Sequence, residues 1–349
     1  MSNKQDNIKR TEISQLGEFG LIEHLTTEFQ MKNKSTLRGV GDDAAVINYG
    51  DKDTVVSTDL LLEGVHFDLM YTPLKHLGYK AVTVNLSDIY AMNADPKQIT
   101  VSIGVSNRMS VEALSEFYAG IYIACERYGV DLVGGDTTTS LKGFTISVTA
   151  IGEGERGKIT QRQTAKEGDI VCVTGDLGAA FLGLQILERE KDVFLASPQA
   201  QPDLGGQDYV LQRFLKPEAR KDIVDMFRQA DISVNAMIDV SDGLSSELFH
   251  LCKQSELGVQ IREADLPISD EATELALKFG MDPMVCALNG GEDYELLFTL
   301  DESSYNKLPV GADVRAIGKM LNQASGKNIE SRSGKVHELL AQGWSHLDD

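Results

Sequence analysis

Apolar positions alternate along this chain between runs of period two and longer stretches of helical spacing, so the whole sequence reads as mixed α and β. Two β-type runs, Ala45-Val46-Ile47 and Thr54-Val55-Val56-Ser57-Thr58, flank a turn at Asn48, Gly50 and Asp51. Pro73 suits the first turn of a helix reading to about Asn93. The middle of that helix, Ala81 to Met92, is apolar almost all round, which predicts burial. Strands are predicted at Ile99–Val105, Leu132-Val133 and Phe144–Ile151, with a helix over Ser110–Arg127.

Gly152–Asp169 is rich in glycine and charge and is the expected domain boundary, giving domains 1–152 and 153–349. Beyond it, strands are predicted at Ile170–Thr174, Met237-Ile238, Val259–Arg262, Glu295–Leu300 and Val314–Ile317. Helices are predicted over Ala179–Glu190, from about Pro217, over Asp242–Ser255 and over Ala272–Phe279. Lys191–Asp208 contains Pro198, Pro202 and Gly205-Gly206 and reads as a mobile loop. The fold class that follows is α+β, in two mixed α/β domains of similar size.

Composition narrows the partners. The 349 residues are 42% hydrophobic and 25% charged, as in globular proteins. No stretch approaches the roughly 18–20 apolar residues that span a bilayer, and Met1–Glu12 has no apolar signal core. A cytoplasmic protein without a membrane partner is expected. Cys125, Cys172, Cys252 and Cys286 lie far apart with no C-x-x-C pair, which suits reduced thiols. Thirty-three basic against 53 acidic residues give a net charge of −20, a surface that repels nucleic acid. Gly152-Glu153-Gly154-Glu155-Arg156-Gly157-Lys158 imitates both a dinucleotide fingerprint and a phosphate loop. Ile159 stands where a magnesium-binding hydroxyl belongs, and two glutamates sit where phosphate would approach, so both motifs are set aside.

Aspartates remain as the chemical signal. Val55–Asp59, Leu132–Asp136 and Met237–Gly243 are apolar runs leading through small residues to aspartate, and Gly39–Asp43 leads into a strand. At strand ends, small residues let a phosphate or a metal approach the backbone. Singly, each has a plain structural reading, Asp242 as a helix N-cap, Asp42 or Asp43 as a turn residue. Asp88 is harder to explain that way. It sits within the apolar helix with Asn85 on the same face, and no lysine or arginine lies within a turn of it. A buried carboxylate of that kind needs a cation or a shifted pKa. Carboxylates alone would repel a polyphosphate, whereas carboxylates holding Mg²⁺ attract it. The residues therefore point to a Mg²⁺-dependent enzyme that uses a nucleotide without a phosphate-loop lysine. A metal-binding protein without turnover is the alternative, weakened by the lack of an EF-hand loop.

Taken together, the chain resembles the thiamine-monophosphate kinase family, related to aminoimidazole ribonucleotide synthetase and selenophosphate synthetase. The stretches that carry the resemblance are Gly41–Ala45, Ser57-Thr58-Asp59, Gly64–Phe67, Asn85–Asp88, Gly134–Thr137, Asp239–Gly243 and Gly290–Glu295. The resemblance implies transfer of the ATP γ-phosphoryl group to thiamine monophosphate in a homodimer paired through its N-terminal sheets, with the C-terminal domain closing the cleft. It implies magnesium ligands at Asp43, Ser57, Thr58, Asp59, Asp88, Asp136, Asp239 and Asp242, of which Asp88, Asp239 and Asp242 would be catalytic. Nucleotide contacts are implied at Gly135, Asp136, Arg162 and Ser241. Contacts to thiamine monophosphate are implied at His66, Glu292 and Trp344, where an aromatic face suits a thiazolium cation. Thr139 stands where relatives often carry a basic residue, so a phosphate contact there is in doubt. A sibling ligase or selenophosphate synthetase is the competing reading on the same scaffold. The reactive N-terminal cysteine of the latter is absent, the first cysteine being Cys125.

Overall fold

The structure, a computed structural model, describes residue 11 and residues 24–38, 46–48 and 50–340. Strands β1 (Thr36–Arg38), β2 (Val46–Ile47) and β3 (Asp53–Leu62) precede helix α1 (Leu74–Ala91), β4 (Asp95–Val105), α2 (Val111–Tyr128), β5 (Asp131–Thr139) and β6 (Thr145–Gly154). After a 3₁₀ turn at Arg162–Thr164 come β7 (Ile170–Thr174), α3 (Ala179–Ala196), α4 (Asp208–Leu215), α5 (Lys221–Gln229) and β8 (Ala236–Asp239). Helix α6 (Leu244–Ser255), β9 (Leu257–Arg262), α7 (Asp270–Lys278), α8 (Pro283–Asn289) and β10 (Leu296–Leu300) follow. Helix α9 (Glu302–Tyr305), β11 (Val314–Asn322), β12 (Lys327–Glu330) and β13 (Val336–Glu338) end the series. The described residues fall into two compact units. One contains Thr58–Val82 and Lys97–Ile151; the other contains Gly50–Ser57, Thr83–Pro96 and the chain from Gly152.

A four-stranded sheet has the order β3-β6-β4-β5. Along β6, buried Ile146, Val148 and Ala150 alternate with half-buried Thr145, Ser147 and Thr149, the signature of a sheet with one covered face. In the first unit, α1 and α2 approach closely because both contribute glycine at the crossing. A Cβ on Gly78 would lie 1.9 Å from the Phe117 carbonyl oxygen, and one on Gly120 would lie 1.9 Å from that of Lys75. Phe117 then meets Phe144 edge to face at 5.1 Å, and both are buried. Ser110 caps α2 by accepting from the Ala113 N–H at 3.2 Å.

The second unit holds a seven-stranded sheet in the order β13-β12-β9-β11-β7-β10-β8. β10 runs antiparallel to both β7 and β8, and β11 antiparallel to both β7 and β9. The carboxyl ends of β7, β8 and β9 therefore emerge at one edge. All of β8 and β10 is buried, so these strands read as continuous apolar runs. Val171, Val173, Ile238 and Leu297 pack with Leu248 and Leu251 of α6 in one core. Phe298, of opposite facing along β10, meets Phe227 of α5 at 5.0 Å.

Several sequence-based expectations need correction. Asp59 and Asp136 lie within strands, not at strand ends, because β3 and β5 run further than their apolar cores. Parallel pairing with β4 extends β5 through its glycines, with Val101 opposite Gly135 and Ser102 opposite Asp136. Helix α3 continues to Ala196, and α4 already begins at Asp208, so the expected 191–208 loop shrinks. Glu190 holds that connection back by accepting from the Asp203 N–H at 2.8 Å. Gly243, at φ 108°, keeps Asp242 outside α6. Helices α4 and α8 and strands β12 and β13 lie outside the predicted elements; they are short, and β13, exposed throughout, is held by backbone pairing with β12.

Candidate functional site

Two serine–aspartate pairs, one buried and one half-buried, organise one end of the second unit. β3 presents Ser57, whose hydroxyl donates to Asp88 of α1 at 2.5 Å. The next residue back on α1, Ser87, donates to Asp239 at the end of β8 at 2.7 Å. Helix α1 can hold these groups because Thr83, Asn85 and Ser87 are fully buried along a segment that is otherwise apolar. Burial raises the Asp88 carboxyl above its ordinary range, against the donation from Ser57 and the positive charge of Arg162. Asp239 is raised well above its ordinary value, by burial first and by the negative charge of Asp88 next; Ser87 and Arg162 oppose the rise. Two aspartates that each disfavour the other's ionisation form the electrostatic feature that the sequence suggested at Asp88.

The positive charge of Arg162 acts on Asp88 and Asp239, and also on Glu247 and His250. Its turn is fixed by Ser255 at the end of α6. The Ser255 hydroxyl donates to the Arg162 carbonyl at 3.0 Å and accepts from the Ala165 N–H at 3.2 Å. Ser57, Asp88, Arg162, Gln161, Met237 and Gln254 line a cavity of about 440 Å³.

The loop after β8 is held by a carboxylate that sequence reasoning missed. Glu247, in the first turn of α6, accepts from the Asp242 N–H at 3.1 Å and from the Ser241 hydroxyl at 3.3 Å. Burial, and then the charge of Asp242, push its carboxyl up to about 7. The available signal was a glutamate placed one turn into a helix directly after Asp239–Gly243. The Gly290–Glu295 stretch runs beside this loop: Glu292 N–H donates to the Ser241 carbonyl at 2.7 Å and Tyr294 N–H to that of Val240 at 2.9 Å. Glu292 and Tyr294 have φ of 59° and 52°, a backbone conformation that costs about 1–3 kcal/mol per residue and clusters at functional sites. Gly291 must be glycine, because a Cβ there would lie 2.5 Å from the Ser241 oxygen. Asp293 turns the other way, accepting from the Gly178 N–H at 2.9 Å to cap α3.

The remaining expected residues are placed as follows. Thr58 faces opposite to Ser57 by strand alternation; its hydroxyl donates to the Val148 carbonyl at 3.1 Å and lies 3.0 Å from that of Thr149. Gly135 is required by strand pairing, since a Cβ would lie 1.9 Å from the Val101 oxygen, and Asp136 beside it is exposed. His66 Nδ1 accepts from the Leu62 N–H at 3.1 Å, which puts the ring proton on Nε2. Asp43 and Trp344 lie outside the described residues. No group of three or more His, Cys, Asp and Glu side chains among the described residues is arranged to hold an ion. Asp88 and Asp239 nonetheless fit magnesium, a hard cation that takes one or two carboxylates and completes its shell with water and substrate phosphate.

The Glu247 carboxyl carries a pH signature. In the folded protein it titrates near 7 against 4.5 for an ordinary glutamate, so its contribution is complete below pH 4.5 and is lost as pH rises to about 7. Urea unfolding of the metal-free protein at pH 5 and 7.5 should show stability falling by up to about 3 kcal/mol from this group. Glu247→Gln should flatten that slope; an unchanged slope would show that Glu247 ionises freely.

Comparison with known proteins places these observations. The N-terminal domain of the AIR synthase related proteins matches residues 41–153, and the C-terminal domain matches 166–324. The thiamine-monophosphate kinase of Aquifex aeolicus is 35% identical over 335 residues, covering 96% of this chain and 99% of that protein. That of Escherichia coli K12 is 34% identical, covering 95% and 98%. Among solved structures, AaThiL complexed with AMPPCP and TMP superposes with a TM-score of 0.73 at 34% identity, covering 96% of this chain and 98% of that one. Hydrogenase maturation protein HypE in complex with ATP, at 18% identity and a TM-score of 0.72, shares the fold. Among the described residues, no helix is long and apolar enough to cross a membrane.

Proposed function

We infer the function from family membership: the chain belongs to the thiamine-monophosphate kinases, which are built from the two AIR synthase related domains. It is a thiamine-phosphate kinase, transferring the terminal phosphoryl group of ATP to thiamine monophosphate to give thiamine diphosphate and ADP. The observation that carries this to named residues is the Asp88–Asp239 pair, whose mutual repulsion a bound cation would relieve. Asp88 and Asp239, oriented by Ser57 and Ser87, would hold magnesium, with Asp43, Asp59, Asp136, Asp242 and the Thr58 carbonyl as further ligands. Bound there, the metal neutralises charge on the transferring phosphate.

The acceptor is already an ionised phosphate, so the reaction needs positioning more than a general base, and an in-line transfer follows. Arg162 supplies fixed positive charge for the nucleotide phosphates, and Ser241, Gly135 and Asp136 share the nucleotide role. His66 donates from Nε2 to the acceptor phosphate. Glu292, held in its strained conformation, balances the thiazolium charge, and Trp344 supplies the aromatic face. Four buried free cysteines suit a reducing cytoplasm. ADP release from ATP and Mg²⁺ should depend on added thiamine monophosphate; silence with this acceptor alongside turnover of another would overturn the reading.

A homodimer is part of the same proposal. Thr54, Val56, Thr58 and Leu60 form one exposed face of the edge strand β3, with Val56 and Leu60 more than half exposed. Apolar residues alternating on an open sheet face need a cover, and a second copy of the same face supplies one. Light scattering should give the mass of two chains for the wild type and of one for Val56→Glu/Leu60→Glu. A monomeric wild type would exclude this interface.

A further inference from the structure

The same sheet edge that carries Asp239 holds a second cavity, of about 460 Å³, outside the residues discussed so far. It opens at the carboxyl ends of β7 and β9, where Gly175, Arg262 and Pro267 meet Asp313 and Arg315 at the start of β11 and Tyr305 of α9. Its charges are unequally matched. Asp265 takes the Arg262 guanidinium. Asp313 is taken by Arg220, at 2.9 Å, from the buried side. Arg315 has neither a carboxylate nor a hydrogen-bond partner among the described residues, and the Tyr305 hydroxyl has none either.

In a chain of net charge −20, an uncompensated guanidinium facing a cavity is a specific feature. Among the described residues no acidic group pairs with it, and its packing does not call for an arginine, since Arg315 is an exposed position of β11. A guanidinium offers paired N–H donors in the geometry of a phosphate or carboxylate edge, and a tyrosine hydroxyl adds a third donor. The volume admits a ligand of the size of a small phosphorylated metabolite. We propose that the Arg315–Tyr305 cavity is a binding site for a small phosphate-bearing anion, separate from the kinase centre. Asp313 tunes it: its carboxylate keeps weak anions out, while Arg220 holds that carboxylate to one side. Arg220 also reaches Glu295, the first residue before β10, so the occupant sits two ion-pair contacts from the Gly290–Glu295 turn.

Pyrophosphate is the probe. Titrated calorimetrically into chelator-treated full-length protein, it should give one saturable event, because without a cation the Asp88–Asp239 region repels polyanions. Arg315→Ala should weaken that event about tenfold, the loss of one charge-assisted hydrogen bond, and Asp313→Asn should tighten it. Arg315 is exposed, so the variant folds, and its basal kinase rate should equal the wild type's. Absence of saturable binding, or binding that Arg315→Ala leaves unchanged, overturns the proposal. Neither result depends on whether thiamine monophosphate is the acceptor.

Discussion

Asp239→Asn should lower kcat by about a hundred- to a thousand-fold while leaving the metal-free protein as stable as the wild type or more so. The two effects have one cause. Asp239 is buried, and the charge of Asp88 pushes its pKa further up, so in the absence of a cation the folded chain pays for holding the pair together. Asparagine keeps the acceptor for the Ser87 hydroxyl and removes the charge. Both carboxyls are raised, so their contribution to apo stability is complete below the ordinary aspartate range near 3.8 and is lost as pH rises through their folded values. Steady-state kinetics with a magnesium titration, set beside thermal melts in chelator, would test this. Asp88→Asn should behave likewise. Near-normal turnover in both variants would remove the pair from the catalytic centre, and a large loss of stability would show that the charge is structural.

Glu295→Ala should destabilise the second unit by about 3–5 kcal/mol, more than Arg220→Ala does. Glu295 is almost fully buried and accepts from Thr174 at 2.5 Å, from Arg220 at 2.5 Å and from Arg213 at 2.9 Å. Removing it leaves the buried Arg220 and half-buried Arg213 guanidinium groups without their shared carboxylate, with only the more peripheral Asp222 and Asp313 on Arg220 and Asp176 on Arg213. Arg220→Ala is milder because Arg213 and Thr174 still satisfy the carboxylate. Urea unfolding gives the ordering directly, and equal or reversed costs would show that the network is not organised around Glu295. The three acidic residues of Gly290–Glu295 thus divide their work: Glu292 ties the turn to the Ser241 carbonyl through its N–H, Asp293 caps a helix, and Glu295 anchors a strand.

Much of the fold was legible because buried segments declare themselves by composition. Helix α1, with its apolar girth, and the largely apolar β7, β8 and β10 stand where the sequence predicts them, within a few residues. The raised Asp88 carboxyl was legible for the same reason: a carboxylate inside an apolar helix must be shifted or compensated, and here burial raises it against the Ser57 hydroxyl and the Arg162 charge. Strand ends were less so. β5 runs on through Gly134-Gly135-Asp136 because β4 offers backbone partners, and local propensity does not contain that information.

Ser87 and Glu247 mark the limit from the other side. Ser87 stands in a recognisable stretch, yet its task is defined by Asp239, 152 positions away in the chain. Glu247 reads as an ordinary helix residue until the loop at Ser241-Asp242 folds back over it.

By itself, then, the sequence determined which segments must be buried, that a carboxylate would sit inside the apolar helix α1, and which family the motifs resemble. Tertiary structure alone decided which aspartates share a site and which carboxylates hold the scaffold. Hydrophobic periodicity is a property of neighbouring residues and survives in one dimension. Electrostatic pairing depends on separation through space and on the water excluded around it, and neither exists until the chain has folded.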